Sequence, residues 1–155
     1  MAREAMPTWF FSLVVVRRGD RFLLVQERKH GQTWYLPAGR VEAGESLAEA
    51  ARRETLEETG VEVELEGVLR VEHNPGLEAT RVRVFFVARP IGAGAPKQAP
   101  DEHSLAARWV TLAELRELPL RGREVLEIYE AVAAGVHVAP LATIVPEGTP
   151  WRPRG

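Results

Sequence analysis

A chain of 155 residues, 45% hydrophobic and 27% charged, has the profile of one soluble globular domain with a proper core. It contains no cysteine, which removes disulfides, thiolate catalysis and cysteine-ligated zinc from consideration. A net charge of -2 without a Lys/Arg block argues against a nucleic-acid polymer as partner, and no apolar run approaches the ~20 residues of a membrane span.

The opening MAREAM has no apolar core of the kind a secretory leader needs, so a cytoplasmic location is expected. Trp9 to Arg17 is β-branched and aromatic, Arg18-Gly19-Asp20 is a turn signal, and Arg21 to Glu27 reads as the returning strand of a hairpin. After the loop His30 to Thr33, Trp34-Tyr35-Leu36 leads into Pro37-Ala38-Gly39, where proline is expected to end the ladder. Ser46 with Glu49 forms a capping box, Leu47 to Thr59 lacks Gly and Pro, and Gly60 suits a left-handed end. A helix is therefore expected over 47–59. Val61 to Glu72 and Thr80 to Ala88 read as strands on either side of the turn residues Asn74-Pro75-Gly76.

Arg89 to Pro100 (RPIGAGAPKQAP) reads as a loop whose composition suits mobility. A short strand over Ala107 to Val110 follows, then a short helix capped by Thr111 and Glu114 that ends before Pro119. Val125, Leu126, Ile128, Tyr129, Val132 and Ala133 recur at helical spacing, which gives an amphipathic helix over Arg121 to Ala134. The tail after Gly135 carries four prolines and reads as irregular. The expected organisation is a single domain over 1–155, its core about 8–135 and its Pro-rich tail 136–155. The order of elements predicts an α+β sandwich, a mixed sheet covered by helices.

Chemistry concentrates on the helix over 47–59. Glu54, Glu57 and Glu58 lie at i, i+3 and i+4, on one face with Leu47, Ala50 and Ala51 further back along the same stripe. Like charges so spaced repel by roughly 0.2–0.5 kcal/mol per pair when exposed, and by more when partly buried. A divalent cation removes that penalty. An all-carboxylate set without His or Cys favours Mg²⁺, with Mn²⁺ as the alternative. Upstream, the Gly-punctuated loop Gly39 to Glu45 delivers backbone groups to the helix N-terminus, and Arg53 can pair with Glu45 to fix that loop.

Residues Gly39 to Val61, GRVEAGESLAEAARRETLEETGV, resemble the signature of the Nudix hydrolases: Gly, five residues, Glu, seven residues, Arg-Glu, an aliphatic, any residue, Glu-Glu, any residue, Gly, an aliphatic. Gly39, Glu45, Arg53, Glu54, Glu57, Glu58, Gly60 and Val61 match, and Thr55 departs at a packing position. Seven fixed positions match a random window about once in 10⁸ to 10⁹, so coincidence is not a competing explanation. The segments WYLPAGR, VRVFFVARPIG, SLAARW and LPLRGREVL are similar to the MutT-like 8-oxo-guanine nucleoside diphosphatase branch.

The resemblance implies a Nudix-type α/β/α sandwich and attack of water on phosphorus in a nucleoside di- or triphosphate, such as an oxidised guanine nucleotide. An ADP-ribose or dinucleoside polyphosphate pyrophosphatase, and a nucleotide-binding module without turnover, are the alternatives. It also implies that Glu54, Glu57 and Glu58 hold the metal with the Gly39 carbonyl, and that Arg53 organises the site. The general base is Glu57 or Glu58, with Glu102 as the candidate from outside the box. Arg40 is a candidate phosphate contact; Phe11 and Tyr35 are candidates for base stacking, and Ser12 and Gln26 for hydrogen bonds. His73, His103 and Glu124 read as surface groups. Partners are small nucleotides, and the chain is expected to be a monomer or homodimer.

Overall fold

The computed structural model describes residues 3–152. Its strands are β1 (Thr8–Arg18), β2 (Arg21–Gln26), β3 (Trp34–Tyr35), β4 (Ala38–Arg40), β5 (Val63–Asn74), β6 (Thr80–Pro90), β7 (Ala106–Thr111) and β8 (Ala139–Pro140). The helices are α1 (Leu47–Thr59), α2 (Leu112–Arg116) and α3 (Arg123–Ala133). The sheet order is β3-β2-β1-β6-β5-β8, with β4 added to β1 and β7 to β2.

β1 is the hub. It runs parallel to β6 from Thr8↔Thr80 to Val16↔Ala88, and its Ser12 to Val16 stretch is buried throughout. A strand covered on both faces loses the in-out alternation and reads as a continuous apolar run, as this one does. The even positions Val14 and Val16 join Ala51 of α1, Phe86 and Val63 in one core. The odd positions Leu13 and Val15 join Phe22, Leu24, Tyr35, Val125 and Tyr129 in the other. The layers are therefore helix, mixed sheet, helix, as expected.

The expected hairpin forms over a shorter length, and two expectations need correction. The β1–β2 hairpin pairs only near its turn, at Arg17↔Phe22 and Arg18↔Arg21. β4 takes the edge of β1 opposite Phe11 to Leu13, so β2 peels away to pair with β3 and β7. Pro37 does not end the ladder: Val14 donates to the Pro37 carbonyl and pairing resumes at Ala38. Proline lacks only the donor, and its carbonyl still bonds. The tail is not wholly irregular either, since β8 pairs with β5 through Gly67↔Pro140 and Val68↔Ala139. A Cβ at Gly67 would meet Val138 Cγ1 at 2.4 Å and the Ala139 carbonyl oxygen at 2.7 Å, so the glycine is what admits the strand.

The helix boundaries follow the caps. Ser46 Oγ accepts from Glu49 N while Glu49 accepts from Ser46 N, each at 3.0 Å, and Gly60 closes α1 at φ 75. The 91–105 connection is a loop, tethered by Trp109 Nε1 to the Gly94 carbonyl (2.7 Å) and by Lys97 N to the Thr59 carbonyl (2.8 Å).

Candidate active site

The buried stripe of α1 runs through Ala51, Thr55 and Thr59, not into the glutamates. Thr55 Oγ1 donates to the Ala51 carbonyl (2.7 Å) and Thr59 Oγ1 to the Thr55 carbonyl (2.6 Å). That internal bonding lets threonine sit where an aliphatic is usual. Glu54, Glu57 and Glu58 flank this stripe and are partly buried.

Arg53 organises the loop and the helix together. Its Nε and Nη2 grip Glu45 at 2.6 and 2.9 Å, its Nη1 reaches Glu54 (2.8 Å) and Glu57 (3.2 Å), and its Nη2 reaches the Arg40 carbonyl (3.2 Å). All the donors of the guanidinium are directed at the site. The Glu45 carboxyl is held below the usual range by this bond, and the Arg53 pKa is raised by it.

Burial pushes the Glu58 carboxyl well above its ordinary value, and the adjacent Glu54 charge adds to the rise; an amide bond from Ala38 works against it. Glu54 is raised as well, first by burial, with Arg53 opposing. Glu54 lies within hydrogen-bonding reach of Glu58. A Cβ on Gly39 would meet Glu54 Cδ at 2.0 Å, so only glycine leaves this carboxylate its place. Among the described residues no three acidic or imidazole groups converge into a ready cation cage, and Arg53 engages Glu54 and Glu57. The donor set still fits a hard divalent cation: two carboxylates pressed together against burial, a third one turn away, and a glycine backbone beside them.

Gly39→Ala is expected to keep the fold but displace Glu54 and lower activity by about 10- to 100-fold, as loss of ligand positioning does; unchanged kcat/KM would refute that placement. The raised pKa values carry a second prediction. Glu54 and Glu58 bind protons more tightly folded than unfolded, so the metal-free protein loses stability as pH rises from 4.5 through their folded values. A cation needs the ionised forms, so Mg²⁺ should raise Tm most near neutral pH and little as pH falls toward the ordinary carboxylate value. Melting curves across that range, with and without Mg²⁺, measure this.

The 97–104 turn closes the far end of α1. Lys97 Nζ donates to the Glu57 carbonyl (3.1 Å) and Ser104 Oγ to the Glu58 carbonyl (2.6 Å), satisfying carbonyls that a helix end leaves open. Asp101 holds the turn by accepting from Lys97 Nζ and from the His103 and Ser104 amides, which depress its pKa to about 2. His103 thereby stands 3.8 Å from Glu57 and 3.4 Å from Glu102. Glu102 is highly exposed, with that imidazole beside it.

Gly39 also lines a cleft of about 270 Å³ walled by Phe11, Tyr35, Glu27, Arg81, Arg83 and Arg121. Arg81 stacks on Phe11 (4.9 Å) and Arg121 on Tyr35 (4.7 Å). Glu124 is exposed at the start of α3, as expected, and from there accepts from Tyr35 Oη (3.3 Å) and pairs with Arg83 (3.1 Å), two residues of the cleft wall.

Two expected contacts do not face the cleft. Ser12 is fully buried and donates to the Leu47 carbonyl (2.7 Å), pinning the start of α1 to β1. Gln26 Nε2 donates to the Gln32 carbonyl (3.1 Å), and the next residue, Glu27, lines the cleft. Arg40 stacks on Trp9 (4.3 Å) in a neighbouring groove with Glu42 and Glu45. His73 lies with Arg70 on an open surface that adjoins the cleft through Arg81 and Arg83. Sequence reasoning missed Arg81, Arg83, Arg121 and Glu27. The alternating Arg-Val-Arg-Val of β6 was the readable signal for the first two, since period-2 spacing puts both arginines on one face.

Residues 8–131 match the family model described as the NUDIX domain. The chain is 38% identical over 141 residues to the human protein "8-oxo-dGDP phosphatase NUDT18", covering 88% of this chain and 42% of that relative's length. A NUDIX hydrolase from Nitrosomonas europaea superposes with a TM-score of 0.75 at 28% identity, covering 90% of this chain and 97% of that one. An ADP-ribose pyrophosphatase from Streptococcus suis superposes with a TM-score of 0.65 at 25% identity, covering 84% and 95%. With the signature matched over 39–61 at every position but Thr55 and the sandwich around it, the chain belongs to the Nudix hydrolase family.

Proposed function

We propose that this chain hydrolyses a phosphoanhydride bond in a nucleoside di- or triphosphate, an oxidised guanine nucleotide of the 8-oxo-dGDP or 8-oxo-dGTP type, with Mg²⁺ as the cation. The observation that carries the reading is the junction at Gly39: Glu54 of the glutamate set packs against this glycine, and the same glycine lines an aromatic and arginine-walled cleft. A diphosphate at the glutamates leaves its nucleoside end for the cleft. The family works with divalent cations, and the likeness to the 8-oxo-dGDP phosphatase favours the oxidised guanine nucleotide.

Glu54, Glu57 and Glu58, with the Gly39 carbonyl, would hold the cation, which when bound neutralises diphosphate charge and lowers the pKa of an attacking water. Arg53 holds Glu54 and Glu57 in position and keeps the 39–45 loop docked. Glu57 or Glu58 takes the proton from water; Glu102, 3.4 Å from His103, is the candidate base from outside the helix. Arg81 and Arg83 offer charge to the substrate, and Phe11 and Tyr35 offer ring faces to a base. Arg40 contributes a phosphate contact at the loop. Mn²⁺ substitutes for Mg²⁺ in such a site.

Among the described residues no helix is long and apolar enough to cross a membrane. A cytoplasmic enzyme, monomeric or homodimeric, acting on free nucleotides agrees with that reading. The likeness to an ADP-ribose pyrophosphatase supports a second substrate class. A panel of 8-oxo-dGDP, 8-oxo-dGTP, ADP-ribose and dinucleoside polyphosphates with Mg²⁺ separates the two. Cleavage of ADP-ribose with none of 8-oxo-dGDP would transfer the chain to the second class; binding without any turnover would make it a nucleotide-binding module.

A further inference from the structure

One buried side-chain atom of a cleft residue has no partner. Glu27 Oε2 is the one buried side-chain nitrogen or oxygen, among the described residues, that lacks a hydrogen bond. The other oxygen, Oε1, is held by Arg121 at 3.1 Å, and Arg121 in turn stacks on Tyr35. The carboxylate is thus fixed beside the aromatic wall and its free oxygen is left without a donor. Burial raises the Glu27 pKa, with Arg121 opposing, which marks the same unmet desolvation. Buried acceptors in folded proteins are nearly always satisfied, and an exception calls for a ligand or a cost.

The surroundings hold Glu27 in place. The 30–32 turn beside it adopts left-handed backbone at His30 (φ 56) and Gln32 (φ 58), conformations that non-glycine residues keep only when their neighbours impose them. Gln26 Nε2 on the Gln32 carbonyl, Thr33 Oγ1 on the His30 carbonyl and Glu27 N on the Thr33 carbonyl impose them here. His30 then joins Glu27 in the cleft wall.

Resting on the nucleotide reading, we propose that Glu27 is the specificity-determining residue of the cleft, its free Oε2 accepting a hydrogen bond from a donor on the nucleoside part of the substrate. An ionised carboxylate only accepts, so it selects N–H or O–H and rejects a lone pair. Two parts of a nucleotide supply such a donor. A guanine edge offers N1–H and N2–H₂, where adenine presents an acceptor at N1. A sugar offers its hydroxyls. A metal-ligand role for Glu27, which lies near enough to Glu58 for the two charges to act on each other, would show instead as lost Mn²⁺ affinity with the discrimination kept.

The test is equilibrium binding of GMP, IMP, AMP and 2′,3′-dideoxy-GMP to the wild-type protein and to Glu27→Gln, with Mn²⁺ affinity and Tm measured on both. The expected result is that GMP binds the wild type at least tenfold tighter than the analogue lacking the donor. That analogue is IMP or AMP if the base supplies it, and dideoxy-GMP if the sugar does. Glu27→Gln should lower GMP affinity tenfold and erase the discrimination, with Mn²⁺ affinity unchanged and Tm equal or higher. Equal binding of all four nucleotides by the wild type overturns the inference without any variant. So does unchanged GMP affinity in Glu27→Gln, or a tenfold loss of Mn²⁺ affinity with discrimination intact. If no diphosphate is hydrolysed while this discrimination persists, the hydrolase reading fails and the inference stands.

Discussion

Glu58→Gln is expected to lower turnover by about 10³-fold, the effect of losing roughly 4 kcal/mol of transition-state stabilisation, while the fold becomes no less stable. Both parts come from the same geometry. The Glu58 carboxylate is partly buried, within reach of Glu54, and its charge is opposed by desolvation and by that neighbour. An amide of the same shape removes the repulsion and keeps the helix contacts. It also removes a charge that the cation needs. Steady-state kinetics and a melting curve on one preparation measure the pair. Loss of activity accompanied by a large drop in Tm would mean that Glu58 supports the fold and not the reaction.

Arg53→Ala is expected to act with the opposite sign on stability. Five donors leave Glu45, Glu54, Glu57 and the Arg40 carbonyl at once. Hydrogen bonds to charged groups contribute about 1.5–3 kcal/mol, and partial exposure of this cluster keeps the expected loss near 2–3 kcal/mol. For a chain of this size that lowers Tm by about 4–12 °C. Activity should fall by about 10- to 100-fold because the 39–45 loop and two glutamates lose their shared anchor. Arg53→Lys should recover little, since an ammonium cannot reproduce the planar fork on Glu45. A fully active Arg53→Ala enzyme would remove Arg53 from the site. The contrast between the two variants separates a residue the fold tolerates for chemistry from one that serves both.

What could be read from the sequence was what is local. The capping box at Ser46 and Glu49 and the left-handed Gly60 depend on residues within one turn, so α1 was legible to its ends. The spacing of Glu54, Glu57 and Glu58 placed them together for the same reason. Ser12 could not be read, because its partner is the Leu47 carbonyl, 35 residues away and joined to it only by packing of α1 on β1. Gln26 and Glu27 are neighbours in sequence, and only the way β2 leaves β1 for β3 and β7 decides which one meets the cleft. The Arg89 to Pro100 loop looked mobile by composition. Its anchors are helix-end carbonyls of α1 and the side chains of Lys97 and Ser104, whose positions depend on tertiary structure.

The central claim is a cation-dependent attack of water on phosphorus at the α1 glutamates. Hydrolysis in ¹⁸O-water, with products weighed by mass spectrometry, tests it most directly. The account predicts one ¹⁸O in a phosphate group of the products, turnover only with a divalent cation present, and its loss on chelation. Label in the 5′-hydroxyl of the released nucleoside, or turnover indifferent to chelation, would contradict it.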